Sequence, residues 1–258
     1  MFSVTFAIAR QTVREALRRR VMWVFLIIGV FIISLGPVFG FLSPRDSQTV
    51  LRSLGLAAIL LAGLFITIVT CIYLIPVEIE RRTIYTVLSK PVQRFEFVLG
   101  KFLGGFVTVF INIFAMGVVF LAMLYFQEGH KIPGEMVQGV MLTFFQMMML
   151  AALTIFFSTF ATPVINFFLS FGIFLIGNLG SVTDTLTTSH NTVARGVGTA
   201  LHYLLPNFGN FNIQNQLIHP SEDIINMSAY IRMNIIYALV YSAVLLALAI
   251  IIFDRREV

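Results

Sequence analysis

Apolar residues run along this chain in six long blocks, and polar residues gather between them. The blocks fall at about 21–42, 53–76, 98–126, 136–160, 163–180 and 233–253. A helix that crosses a bilayer needs roughly 20 mostly apolar residues in succession. Six blocks therefore predict six spanning helices. The third is long enough to tilt or to continue past the hydrocarbon, and the fifth is short enough to be a partial span. Ahead of them, Phe2, Phe6, Ala9, Val13 and Leu17 recur at spacings of four and three, while Arg10, Arg14 and Arg18 take another face. That period predicts an amphipathic helix over 1–20, lying in the headgroup plane with its arginines near anionic lipid. It is not expected to be a cleaved leader, because the apolar run behind it is too long and no small-residue site closes it.

Composition points the same way. The chain has 258 residues, 58% hydrophobic and 11% charged, with a mean hydropathy of +0.93. Soluble domains carry about 25% charged residues, so this chain lacks the polar surface to cover a soluble core. The fold class expected is all-α: a polytopic membrane protein with six transmembrane helices, an N-terminal interfacial helix and a cytoplasmic helix between the second and third spans. The single cysteine, Cys71, lies inside an apolar block and reads as a packing thiol.

Charge collects in one place. Residues 78–97, EIERRTIYTVLSKPVQRFEF, hold seven charges in twenty positions. An Arg or Asp at mid-membrane costs ~2.5–3.5 kcal/mol, while a Leu or Phe returns only ~0.3–0.6 kcal/mol, so this stretch does not cross lipid. It keeps helical character, with Ile84, Tyr85, Val87 and Leu88 clustered among Arg81, Arg82 and Lys90, until Pro91 breaks it. With a cytoplasmic N-terminus, twelve of the 17 Lys and Arg residues fall on the inner side and five (Arg45, Arg52, Lys131, Arg195, Arg232) outside; the acids divide evenly. The positive-inside rule then puts both termini and 77–97 in the cytoplasm. The pI of about 9.7 is thus a topology signal and not a sign of nucleic-acid binding, since no basic surface with interleaved aromatics accompanies it.

The stretch from Glu80 to Arg94, followed by Gly100-Lys101, resembles the cytoplasmic loop between the second and third spans of ATP-binding-cassette permeases of the type-2, exporter-like group. That family's pattern is an acid, a Gly-Thr, a run of leucines, a Pro with an Arg three residues on, then a Gly-Lys. Glu80, Thr83, Leu88, Pro91, Arg94, Gly100 and Lys101 supply it here; Arg82 stands where glycine is usual. Phe253-Asp254-Arg255-Arg256 and Tyr203-Leu204-Leu205-Pro206-Asn207-Phe208 are also similar to members of the group, and the likeness in layout covers the whole chain.

The resemblance implies a single permease domain over 1–258, paired with a second permease copy (a homodimer or a close paralogue) and served by separate cytoplasmic ATPase subunits. ATP and Mg would sit on those subunits, and this chain would bind no cofactor of its own. It implies export of substrate across the cytoplasmic (inner) membrane. The segment 77–97 would be the coupling helix, docked on the ATPase through Glu80, Arg81, Arg82, Thr83, Tyr85, Leu88, Lys90, Pro91 and Arg94. Tyr85 and Leu88 would act as apolar anchors and the charges would fix register.

Absences narrow the alternatives. No G-x-x-x-x-G-K-[ST] occurs, so the sequence offers no phosphate cradle, and an enzyme activity is not expected. No H-E-x-x-H occurs, and His130, His190, His202 and His219 are scattered; no metal site is expected. The six blocks hold no acid at mid-depth of the kind that ion-coupled carriers need. Their polar residues include the amides Asn112, Gln146, Asn166 and Asn178. Such groups ordinarily hydrogen-bond between helices, for ~1 kcal/mol each; lining a translocation path is the functional alternative. Gly36 with Gly40, and Gly100 with Gly104, have the spacing for close helix contact. Residues 181–232 are the long polar stretch, expected outside the membrane, with a short apolar helix over 193–206 ended by Pro206, Gly209 and neighbouring asparagines. The alternative to a permease is a non-transporting membrane anchor that recruits a cytoplasmic complex through 78–97.

Overall fold

In the computed structural model, the residues described are 2–42, 47–80, 93–127, 130, 132–178, 195–196, 199, 205–212 and 227–255. Among them the chain is helical, with no strand. The elements are α1 (Phe2–Arg18), α2 (Arg20–Ser34), α3 (Gly36–Leu42), α4 (Ser47–Cys71), α5 (Pro76–Glu80), α6 (Arg94–Gln127), α7 (Gly134–Ser158), α8 (Pro163–Asn178), a 3-10 turn at Gly209–Phe211, and α9 (Met227–Arg255). Five stretches are long and apolar enough to cross a membrane: Arg20–Gly40, Ser47–Ile79, α6, α7 and α9. α8 is the shorter apolar helix. The chain is an all-α, multi-pass membrane protein.

Two of the predicted spans are broken, each for a reason visible in the sequence. The first bends at Leu35, where Gly36 and Pro37 follow; a proline cannot donate to the carbonyl four residues back, so the ladder opens there. The second stops at Cys71 and restarts at Pro76 after a turn. The periodicity predicts unbroken helix through this point, and Pro76 is why it is not.

α4 and α7 form the middle of the bundle. Leu64, Ile66 and Ile68 of α4 and Met147, Met149, Leu150 and Ala151 of α7 are fully or almost fully buried. α6 packs on both, α2 lies against α4, and α9 lies against α7 and α6. The lack of a side chain at Gly55 lets the Phe120 ring of α6 sit directly on α4; any Cβ there would collide with that ring.

α6 has 34 residues, about 51 Å at ~1.5 Å per residue, against a hydrocarbon core of about 30 Å. The excess lies at its start, and α1 packs beside it. Gly100 opposes Ile8 and the Thr5 carbonyl, and one turn on Gly104 opposes Thr12 and the Ala9 carbonyl. The buried side of α1 is therefore the small-residue side, Ala9, Thr12 and Ala16, while Phe6 points outward at 71% exposure. α8 has only 16 residues, about 24 Å, too short to cross alone. Residues 205–212 fill the depth it leaves: Phe208 and Phe211 are buried, and the Phe208 ring packs on Phe174 of α8 at 5.1 Å.

Candidate functional site

The charges of 78–97 are the natural starting point. Arg81, Arg82, Thr83, Tyr85, Leu88, Lys90 and Pro91 lie outside the described residues. Glu80 closes α5, and Arg94 opens α6. What the structure describes is how the two ends of this segment join the bundle.

The incoming end is held by an ion pair. Lys101 Nζ donates to Glu78 Oε1 at 2.7 Å, with side chains only 7% and 18% exposed. The ammonium also lies 5.7 Å from the centre of the Phe97 ring. A lone buried ammonium would be strongly disfavoured, so the pair fixes α5 against α6. The outgoing end is held by a helix cap and a clasp. Gln93 precedes the first turn of α6, and its N–H donates to the Glu96 carboxylate at 3.2 Å, half of a capping box. Glu96 itself is 3% exposed. Arg94 donates to the carbonyls of Phe253 and Asp254 at 3.2 and 2.8 Å, and its Nε lies 4.0 Å from the Asp254 carboxylate. A cation there satisfies orphan carbonyls at the end of α9 and meets the negative end of its dipole. Phe97 stacks on Phe253 at 5.8 Å beside this clasp.

Three charges at the two ends of 78–97 meet the protein's own groups, while Arg81, Arg82 and Lys90 lie outside the described residues. Glu78, Arg94 and Glu96 are turned into the protein's own helix ends. The reason is the length of α6: its first turns run beside α1, α5 and α9, so its polar groups meet other helix termini. Lys101 and Glu78 are the pair that the sequence reading missed as a unit. The available signal was a Lys just inside the start of the third apolar block, with an acid just past the end of the second.

A second polar knot adjoins α5. Asn166 of α8 donates to the Thr154 carbonyl at 3.0 Å and to Ser158 Oγ at 2.9 Å, and Ser170 donates to Asn166 Oδ1 at 2.9 Å. Ser158 lies within 3.3 Å of the Cys71 carbonyl and 2.9 Å of the Thr154 carbonyl as acceptors for its hydroxyl. The knot thus links α7, α8 and the last turn of α4, just before the break that leads to α5.

The other amides stand apart from it. Gln146 donates from Nε2 to Asn178 Oδ1 and to the Phe208 carbonyl, both at 3.1 Å, and Asn178 donates to the Phe174 carbonyl at 2.9 Å. These bonds, with Tyr230 and Asn234 donating to the Asn210 carbonyl at 2.7 and 3.1 Å, seat 205–212 at the opposite end of the bundle. Among the described residues Asn112 makes no bond between helices: its Nδ2 donates to the Thr108 carbonyl of its own helix at 2.8 Å. Its Oδ1 is buried without a partner among the described residues. The glycines divide as well. Gly36 meets Leu51 and Met123, whereas Gly40 leaves ordinary contact distance, 3.5 Å, to Ser47.

Among the described residues, no three His, Cys, Asp or Glu side chains come together as they would to hold a metal ion. The groups assembled around the ends of 81–92 are ion pairs, caps and helix-end hydrogen bonds. These contacts join the two flanks of the segment to α6 and to the end of α9.

Residues 6–258 match the model of a protein family described as "ABC-2 family transporter protein". No curated protein gives a significant match.

Proposed function

The chain belongs to the ABC-2 transporter family, and we propose that it is the permease of an ATP-driven exporter, powered by separate ATPase subunits that dock on residues 77–97. On this reading two permease copies form the membrane unit, both termini and the docking segment are cytoplasmic, and the bilayer is the cytoplasmic membrane. Binding and hydrolysis of ATP move the docked segment. The bundle then shifts between two arrangements that differ in affinity for the ATP-bound partner.

The observation that carries this reading is the double anchorage of 81–92. Glu78 and Lys101 clamp one side of it, and the Arg94 clasp on α9 holds the other. A loop that serves only to connect two spans has no need of a buried ion pair on one flank and a helix-end clasp on the other. A lever does, because slack at either joint would dissipate the motion. The contribution of this chain is positional: Tyr85 and Leu88 offer apolar anchors, and Arg81, Arg82 and Lys90 offer charge for register.

Coexpression with a candidate ATPase subunit tests the docking. Wild-type permease is expected to retain the ATPase through affinity purification, and Tyr85→Ala with Leu88→Ala to lose it while remaining monodisperse. Equal retention by both would remove the segment from the interface.

A further inference from the structure

Where α1 ends and α2 begins, a cleft of about 250 Å³ opens between this elbow and the last turns of α4. Its walls are apolar: Met22 and Phe25 of α2 stand across from Ile66 and Val69 of α4. Its rim is basic. Arg19 and Arg20 line it, and Arg18 is exposed beside them. Arg19 is held in place, with Glu15 accepting from its Nη2 at 2.8 Å and the Tyr73 ring 5.6 Å from its guanidinium carbon. A guanidinium carries five N–H donors, so the Glu15 contact leaves others for a ligand. Arg20 is exposed and makes no ion pair among the described residues. The first turn of α2 holds no acid. Next to the rim, Trp23 is half exposed and donates its indole N–H to the Leu17 carbonyl at 2.9 Å, the placement of a residue at the junction of headgroups and chains.

We propose that this cleft binds one anionic phospholipid, with its phosphate on Arg19 and Arg20 and the upper carbons of an acyl chain against Phe25, Ile66 and Val69. Three features select that ligand. Guanidinium pairs bind phosphate oxygens in a forked geometry that ammonium groups do not reproduce. The net charge at the rim disfavours a headgroup that brings its own cation. The apolar body of the cleft gives no partner to a small soluble phosphate but matches a hydrocarbon chain. The cleft sits at the elbow that joins α1 to the first span, so the lipid would fix the angle between them. The site is separate from the proposed docking segment and does not depend on it.

Native mass spectrometry of the purified full-length chain tests this. The protein is exchanged into mixed micelles holding equal phosphatidylglycerol and phosphatidylcholine, and retained lipid is counted. Wild type is expected to keep one phosphatidylglycerol and to prefer it clearly over phosphatidylcholine. Arg20→Gln should reduce that preference about fivefold, the weight of one basic residue near an anionic surface. Val69→Trp, which fills the cleft and leaves both arginines, should abolish retention. The rim variant stands alone if the Trp variant fails to fold. Equal retention of the two lipids by wild type, or undiminished retention by a folded Val69→Trp, overturns the proposal. So does competition by millimolar glycerol phosphate, which would make the ligand a soluble phosphate ester. Cross-linking of Val69→Cys to a second copy would assign the cleft to a permease interface instead, and would overturn it too.

Discussion

Lys101 is a buried cation, 5% exposed. Its ammonium sits 2.7 Å from the Glu78 carboxylate with almost no solvent. Removing one member of such a pair leaves a buried charge without compensation, while replacing both with apolar groups is close to neutral. Lys101→Met is therefore expected to destabilise the protein by ~3–5 kcal/mol, read as a fall in midpoint in detergent thermal unfolding. Glu78→Leu combined with Lys101→Met should recover most of it. A double variant no more stable than the single one would mean that the pair is not what sets stability there. Gly104 makes a second claim at this scale. The space a side chain would need is occupied by Thr12 and the Ala9 carbonyl. Gly104→Leu should push α1 away, at a cost of ~1–3 kcal/mol, and let it fray, so that trypsin cuts faster at the already exposed Arg10 and Arg14. Unchanged digestion would show α1 held by other contacts.

Between helices, polar knots do the joining. Asn166 bridges α8 to Thr154 and Ser158 of α7, and its replacement by Leu would take from Ser170 its acceptor and from Ser158 its donor. The expected loss is ~0.6–1.7 kcal/mol, seen as a lower unfolding midpoint, with faster hydrogen exchange over 163–170 than in wild type. Arg94→Gln should loosen the end of α9 and leave its core intact. Faster exchange confined to 251–255 is the predicted signature, and protection equal to wild type would show the clasp to be idle. These joints were only partly legible in the sequence. The apolar blocks predicted every long helix, because a spanning helix has to be apolar over most of its length. The same periodicity missed the break at 72–75, since Ile72, Tyr73, Leu74 and Ile75 are as apolar as what precedes them and only Pro76 marks the stop. It also left Phe208 and Phe211 in a polar outer stretch, although both are buried; Pro206 and the asparagines around them read as loop chemistry. The amides were visible as candidates, but whether Asn112 bonds across or along its helix depends on neighbours that only packing supplies.

At the scale of the whole molecule, the chain is an ABC-2 permease whose exit from the second span and entry to the third are fastened to the rest of the bundle. The central claim is that this fastening makes 81–92 a lever rather than a tether. A tether would bind an ATPase and leave its turnover indifferent to the bundle. The pair Glu78–Lys101 separates the two, because its joint replacement by Leu and Met should preserve folding while removing the directional joint.

The decisive measurement is ATP turnover by the permease–ATPase complex in lipid nanodiscs, compared with the ATPase subunit alone, for wild type and for the Glu78→Leu/Lys101→Met protein. The expectation is that the double variant still copurifies with the ATPase but loses the change in turnover that the wild-type permease imposes. If it copurifies and turnover stays at the wild-type value, the ion pair transmits nothing, and residues 77–97 are a docking tether without a lever.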